Sequence, residues 1–132
     1  MSGFEIQTRE RVVFLGITSQ VAAEVARSGV HDGVVVVFVP HTTAGVTLNE
    51  NADPSVCDDI ELTLERLVPQ SLPFRHLEGN ADAHAKASLI GSSVTVPLTD
   101  GRLQLGTWQG VFFAEFDGPR RRRVIVTVLA AR

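Results

Sequence analysis

Apolar side chains recur in short runs along the N-terminal half of the chain. Residues 4–8 alternate apolar and polar side chains and residues 12–15 are continuously apolar, which predicts one long strand or a bent pair of strands. Residues 34–39 are apolar and mostly β-branched, the pattern of a central strand between other layers, and Pro40 ends it. His41 is therefore expected at a strand end.

Three segments place apolar residues at helical spacing after a residue that can act as an N-cap. They run from Thr18 or Ser19 to Gly29, from Asp53 and Pro54 to Leu67, and from Asn80 or Asp82 to Gly91. A proline in the first turn favours the second helix, and a terminal glycine suits the ends of the other two. Capping alone explains the repeated Asn-Ala-Asp at 51–53 and 80–82 as well as a shared function does.

Four strands are predicted in the C-terminal half, and the Asp100-Gly101 pair suits a tight hairpin between the first two. They cover Ser93 to Pro97, Leu103 to Leu105, Gly110 to Phe116, and Val124 to Leu129. We expect these strands to form an antiparallel meander. Together with the helices, they predict a single two-layer domain of the α/β or α+β class over residues 1–132.

Composition narrows the classes of function. The formal charge of −3 gives no excess positive field of the kind that binds phosphate backbones, so nucleic acid is not an expected partner. Cys57 is the only cysteine, which excludes an intrachain disulfide, and the first residues lack the order of a secretory signal. No apolar run approaches the roughly 20 residues of a membrane-spanning helix. We expect a cytoplasmic protein without a membrane span.

Three of the four histidines lie in polar stretches near predicted strand ends, loops or helix starts. His41, His76 and His84 are candidate ligands of a divalent metal ion, because imidazole is the commonest metal ligand and an acid or base near neutral pH. Their spacing matches no compact zinc motif. The alternative is that each ring only ties down a loop, as we expect for His31.

Carboxylate and amide side chains accompany these histidines, and oxygen ligands of this kind suit magnesium or calcium. They are Asn49, Glu50, Asn51 and Asp53 after His41, and Glu78, Asn80 and Asp82 between the other two. A site with mixed nitrogen and oxygen ligands is therefore a hypothesis, with zinc or magnesium as its metal. Helix capping by the two aspartates and an ordinary loop charge at Glu78 are the alternative.

Two further clusters could contact a ligand. Four arginines follow Asp117 and Pro119, and on an extended chain Arg120 and Arg122 share a face that could grip a phosphate. An edge strand protected by charge explains them equally well. Trp108 and Gln109 could supply an aromatic wall and an amide for a planar ligand, although core or interface tryptophans are as common.

Four long polar motifs occur along the chain: HTTAGVTLNENADP at 41–54, HLEGNADAHAK at 76–86, GRLQLGTWQG at 101–110, and EFDGPR at 115–120. Together they resemble the YjbQ-like proteins, also called secondary thiamine-phosphate synthase enzymes. The match spans nearly the whole chain in the right order. The resemblance implies one α/β domain of mostly antiparallel, β-sandwich-like sheet with a few covering helices, assembled as a homotrimer with clefts near subunit boundaries.

The resemblance also implies a weak or side activity, in which hydroxymethylpyrimidine diphosphate and thiazole phosphate join with loss of pyrophosphate. Under this hypothesis a divalent ion bound by the three histidines neutralises the departing pyrophosphate. Residues expected to act in catalysis are Glu50, Glu78, Asp117 and Arg120. Residues expected to bind the small phosphorylated substrate are Asn49, Asn51, Asn80, Lys86, Trp108, Gln109 and Arg122. No protein nucleophile is needed, and Cys57 has acidic neighbours that disfavour a thiolate.

The sequence leaves two other classes of function open. One is a metal-assisted hydrolase or lyase that acts on another small phosphorylated metabolite. The other is a non-catalytic ligand-binding trimer in which the polar motifs build the interface.

Overall fold

Antiparallel strands and three helices make up the part of the chain that the computed structural model describes, residues 2–132. In chain order the elements are β1 (Gly3–Gln7), β2 (Val13–Gly16), α1 (Thr18–Ser28), β3 (Gly33–Phe38), β4 (Ala44–Glu50), α2 (Pro54–Leu67), α3 (Ala81–Ile90), β5 (Ser93–Thr99), β6 (Arg102–Leu103), β7 (Gln109–Glu115) and β8 (Arg121–Ala130). Within this described range, no helix has both the length and the apolar character needed to span a membrane.

The strands divide between two sheets. One has five strands in the order β1-β8-β3-β5-β6, the other has three in the order β2-β7-β4, and every pairing is antiparallel. The predicted α+β domain with a sandwich-like, mostly antiparallel arrangement is confirmed. The predicted C-terminal meander is wrong, because β7 pairs in the second sheet and β8 returns to lie between β1 and β3.

The main core lies between the two sheets and is closed by α1. Val35 and Val37 from β3 pack in one cluster with Phe113 from β7 and with Val21 and Val25 from α1, all essentially inaccessible to solvent. β3 is thus the middle strand of its sheet, as predicted. The prediction that it lies between other layers on both faces is wrong within the described chain. Its alternate residues are less protected, and Phe38 is 40% exposed on the outer face of the five-stranded sheet. The core between the two sheets is therefore built from one face of each sheet.

Helices α2 and α3 cover the other face of the three-stranded sheet. Ala114, which follows Phe113 on β7, packs with Leu64 of α2 and with Ala83 and Ala87 of α3. This follows from the alternation of side chains along a strand, which sends neighbouring residues of β7 into the two different clusters. The sheet thereby holds α3 at a fixed position.

The predicted helix cap, helix end and hairpin turn are confirmed at the positions where one or two residues determine the backbone geometry. Asp53 caps α2 by accepting a hydrogen bond from the backbone N–H of Ser55, at 3.0 Å. Gly29 ends α1 in the left-handed conformation. Asp100 and Gly101 both have positive φ, at 53° and 74°, as a two-residue hairpin between β5 and β6 requires.

Other local predictions are wrong. The N-cap of α1 is Ile17, and the Thr18 hydroxyl instead accepts a hydrogen bond from the backbone N–H of Val111. Neither candidate at α3 caps it with a side chain: Asn80 holds the N-cap position but its amide bonds elsewhere, and Asp82 lies in the first turn. In each case a tertiary partner competes successfully for the side chain.

Strand β4 was not predicted, and it is the element that brings the site together. Gly45 approaches the end of α3 so closely that a Cβ atom there would lie 2.5 Å from the carbonyl oxygen of Gly91. The same carbonyl oxygen accepts a hydrogen bond from the backbone N–H of Val46, at 3.0 Å. This approach joins the start of β4 to the segment that follows α3.

Candidate functional site

An open cavity of about 450 Å³ lies between the start of β4 and the second half of α3. Its lining comprises His41, Thr42, Ala44, His84, Ala87, Ser88, Gly91 and Ser92. Concavities of similar or larger volume lie beside α2 and near the C-terminal end of the chain. The histidine cavity is the stronger candidate on chemical grounds, because two imidazoles and three hydroxyl groups converge in it.

His41 forms one wall of this cavity. It follows β3, and its Nε2 accepts a hydrogen bond from the backbone N–H of Arg123, at 2.9 Å. Partial burial lowers the pKa of His41 below its ordinary value of 6.5, and the charge of Arg122 lowers it further against the opposing effect of Glu115. The ring is therefore neutral at pH 7.

His84 faces the cavity from α3, and His76 packs against it. The centroids of these two rings are 5.3 Å apart and the ring planes make an angle of 80°, an edge-to-face contact. His76 also lies 3.9 Å from the carboxylate of Glu78, whose side chain is 75% exposed. The three candidate histidines thus come from three separate segments to the neighbourhood of one cavity.

A metal site is not formed by these residues alone. Among residues 2–132, no three His, Cys, Asp or Glu side chains are arranged to hold a metal ion. The Nε2 atom of His41 is also already engaged by Arg123. The divalent metal therefore stays a prediction from the sequence.

A buried ion pair lies beneath the His41 wall. Glu115, at the end of β7, is fully buried and accepts hydrogen bonds from two guanidinium nitrogens of Arg122 on β8. It also accepts from the Thr8 hydroxyl at 2.8 Å and from the backbone N–H of Asp117 at 3.0 Å. Arg122 further donates to the hydroxyl oxygen of Thr43, at 2.9 Å, two residues after His41. The pair therefore connects both sheets to the segment that carries His41.

The prediction that Arg122 grips a phosphate does not fit this geometry. Side-chain alternation on β8 turns Arg122 inward beside Val124, and its side chain is 3% exposed. The alternative of an edge strand is also wrong, because β8 lies between β1 and β3. Inward placement instead demands a carboxylate partner, which Glu115 supplies.

Three of the other predicted residues do come together. Asp117 accepts hydrogen bonds from the amide of Asn80, at 2.8 Å, and from the guanidinium group of Arg120, at 3.1 Å. The side chain of Arg120 is half exposed, and its charge lies near enough to contribute to the lowered pKa of His41. Asn80 Oδ1 is buried without a hydrogen-bond partner among the described residues. None of these three residues lines the cavity, but the charge of Arg120 is close enough to act on His41, which does.

Lys86 does not reach the cavity, in contrast to its predicted role in substrate binding. Its ammonium group is buried and contacts Glu65 at 2.8 Å and Asp82 at 3.3 Å. Asp82 also accepts from Arg11, which sequence reasoning missed. Burial alone would raise the pKa of Asp82, but Arg11 and Lys86 outweigh it and leave the pKa lowered. The i,i+4 spacing of Asp82 and Lys86 was a signal that could have revealed this pair.

The remaining candidates lie at the far end of β4. Glu50 pairs with Gln109 and Asn49 with Gly110, and the backbone N–H of Asn51 donates to the carbonyl oxygen of Trp108. At about 3.3 Å per residue, the six residue-to-residue steps from Ala44 to Glu50 separate this group from the cavity by roughly 20 Å. Within one chain, these residues are therefore not part of the histidine cavity.

Cys57 lies in α2, as predicted. Burial raises the pKa of its thiol, and the charges of Asp58 and Glu61 raise it further. The thiolate is therefore disfavoured at neutral pH.

We predict that Glu115→Gln lowers the free energy of unfolding by roughly 3–5 kcal/mol at neutral pH, because it leaves the Arg122 guanidinium buried without its carboxylate. Burial raises the pKa of Glu115, but hydrogen bonds from Arg122, Asp117 and Thr8 outweigh it, so the folded pKa lies below the ordinary 4.5. The stability that Glu115 provides is thus present above pH 4.5 and is lost as the pH falls through the folded pKa.

Urea unfolding followed by circular dichroism, at neutral pH and in acid, measures this difference. The two proteins should converge in acid, and the exposed control Glu78→Gln should match the wild type throughout. Equal stability of Glu115→Gln and the wild type at neutral pH would contradict the assigned role of the buried pair.

Known proteins match nearly the whole length of the chain in sequence and in structure. The family model described as UPF0047 protein YjbQ-like matches residues 2–131. The chain is 52% identical to UPF0047 protein MJ1081 of Methanocaldococcus jannaschii, over 96% of this chain and 91% of that protein. It is 43% identical to UPF0047 protein YugU of Bacillus subtilis, over 95% and 96% of the two chains. A crystal structure of a YjbQ/UPF0047 protein from Clostridium acetobutylicum superposes with a TM-score of 0.96 at 49% identity, over 98% of this chain and all of the other. The chain belongs to the YjbQ-like UPF0047 family.

Proposed function

We propose that the cavity between His41 and His84 is the substrate site of an enzyme that acts on small phosphorylated metabolites. Its specific reaction under this proposal is thiamine-phosphate synthesis as a weak or side activity. The observation that carries the proposal is the convergence of His41 and His84, from distant segments, on one polar cavity. The buried Glu115–Arg122 pair supports it, because such a pair beside an open cavity fixes the geometry of the wall.

In this reaction one carbon–nitrogen bond forms and one carbon–oxygen bond breaks. The thiazole nitrogen donates its electron pair to the methylene carbon of the pyrimidine, and the C–O bond to the diphosphate breaks with its electrons leaving on oxygen. Negative charge develops on that oxygen, so placed hydrogen-bond donors and cations accelerate the step. His41, His84 and the half-exposed Arg120 are the groups at or near the cavity that can supply them.

We assign the predicted divalent ion no role in this reaction. His41 offers no free Nε2 lone pair, and the described residues gather no third ligand around a common point. The chemistry assigned to this chain is therefore limited to binding and orienting the diphosphate and to stabilising charge on it.

We propose also that the chain assembles as a homotrimer. The outer face of the five-stranded sheet is not covered by any helix of the described chain and carries Val34, Val36, Phe38, Ile125 and Leu129, all exposed or half-buried. Contiguous apolar surface of this kind favours association. In such an assembly, Glu50, Asn51 and Trp108 of one chain could complete the cavity of its neighbour, which would account for their distance from it within one chain.

Sedimentation equilibrium of the purified protein measures the assembly. We expect a mass three times the 14.3 kDa of one chain. A mass of a single chain throughout the accessible concentration range would contradict the trimer without affecting the assignment of the cavity.

We predict that His84→Ala reduces formation of thiamine phosphate from the two substrates by roughly 10²-fold, the usual scale for a positioned donor or acid. Product formed by the purified protein, quantified by chromatography, checks this. His31→Ala is the matched control, because His31 lies in another concavity near the C-terminal end of the chain. It should keep the wild-type rate.

A wild-type protein that forms no thiamine phosphate would contradict the proposed reaction. Hydrolysis or elimination of another phosphorylated metabolite, abolished by His84→Ala, would then favour the rival enzyme class. Ligand binding without turnover would favour the non-catalytic trimer.

A further inference from the structure

The hydrogen bond to His41 determines which of its ring nitrogens carries the proton. Neutral imidazole has one N–H and one lone pair. The lone pair on Nε2 accepts the backbone N–H of Arg123, at 2.9 Å. The hydrogen of the neutral ring must therefore lie on Nδ1, the other ring nitrogen.

The backbone donor is fixed in place. Arg123 belongs to β8, opposite Glu5 of β1 on one side. On the other side, the pairing with β3 ends at Phe38, opposite Ile125. Because β3 ends at Phe38, it offers no partner to the backbone N–H of Arg123. The His41 ring accepts this hydrogen bond in place of a strand. Because an unpaired N–H is costly away from water, the structure resists losing this bond.

The residue before Arg123 restrains the strand further. Arg122 is held by Glu115 and by Thr43, so β8 cannot shift at this point without breaking a buried ion pair. Thr43 is also two residues from His41, and its hydroxyl accepts from the same guanidinium group. The donor and the acceptor of the Arg123–His41 hydrogen bond are therefore both anchored by one buried network.

This arrangement disagrees with the metal role predicted for His41. A histidine binds a metal through an unprotonated nitrogen. If the metal bound Nδ1, the hydrogen of the neutral ring would have to lie on Nε2. The Nε2–H would then face the backbone N–H of Arg123. Two donors would meet, and the hydrogen bond between Arg123 and His41 would be lost. Ligation through Nε2 would displace the Arg123 N–H altogether.

We propose that His41 is a hydrogen-bond donor, through Nδ1–H, to a phosphate or diphosphate oxygen of the ligand, and that it is not a metal ligand. This inference rests on the proposed function for the place of the ligand and names the recognition of its anionic group. The hydroxyl groups of Thr42 and Ser92 line the same cavity and are further donors for the same oxygens, whereas Ser88 donates its hydroxyl hydrogen to the carbonyl oxygen of His84.

Nuclear magnetic resonance of the full chain with ¹⁵N-labelled histidine tests the assignment. Long-range ¹H–¹⁵N spectra identify which nitrogen of each ring is protonated. We expect His41 to carry its hydrogen on Nδ1, to keep it when zinc is added alone, and to shift when pyrophosphate is added alone. A hydrogen on Nε2, its loss on zinc addition, or no response to pyrophosphate would each overturn the proposal.

Two variants test the same point through affinity. Because a hydrogen bond to a charged group is worth roughly 1.5–3 kcal/mol, His41→Ala should weaken pyrophosphate binding by about 10- to 100-fold. His41→Asn keeps an N–H near the position of Nδ1 and should recover most of this loss, whereas His31→Ala should bind as the wild type does. Equal affinity of His41→Ala and the wild type would contradict the donor role.

These results are separable from the proposed reaction. A protein that forms no thiamine phosphate but shows the expected His41 spectra and pyrophosphate response would refute the reaction and leave the donor role standing. A protein that forms thiamine phosphate but in which His41 carries its hydrogen on Nε2 would refute the donor role and leave the reaction standing.

Discussion

The ion pair between Glu115 and Arg122 is the contact through which the two sheets and the candidate site depend on one another. Glu115 ends β7 in the three-stranded sheet, and Arg122 lies near the start of β8 in the five-stranded sheet. Removing two charges from water is costly, and the cost is offset here because the carboxylate also accepts bonds from Thr8 and from the backbone of Asp117. A hydrophobic pair could fill the same space, but it could not fix the Thr43 segment by hydrogen bonds. The pair therefore contributes to the position of the site as well as to stability.

The opposite wall of the cavity, which α3 forms, is also supported by buried ion pairs. On α3, Asp82 and Lys86 are buried one turn apart. They pair with Arg11 from the connection between β1 and β2 and with Glu65 from α2. His84 lies between Asp82 and Lys86 in the sequence and faces the cavity instead. Each histidine wall is thus supported by a charged network buried behind it. Such support anchors the backbone segments that carry the imidazoles, which is what a site that must orient a ligand needs.

Prediction from sequence succeeded where a residue acts locally and failed where a distant partner decides. The cap at Asp53, the Asp100-Gly101 hairpin and the central position of β3 follow from local pattern. β4 was missed because its strand state depends on pairing with β7, whereas Asn49 and Glu50 resemble loop residues when considered alone. Likewise, alternation predicts that Arg122 and Arg120 share a face, but it cannot reveal that Glu115 buries one of them. Of the predicted site residues, only His41 and His84 line the cavity, whereas Asn49 and Glu50 lie at the far end of β4.

A crystal structure of the protein grown with pyrophosphate would show whether the His41 wall binds an anion while its own hydrogen bonds stay intact. We expect a phosphate oxygen within hydrogen-bond distance of His41 Nδ1, with the N–H of Arg123 still donating to Nε2. Pyrophosphate bound away from the cavity, or a His41 ring turned so that Nε2 leaves Arg123, would contradict it.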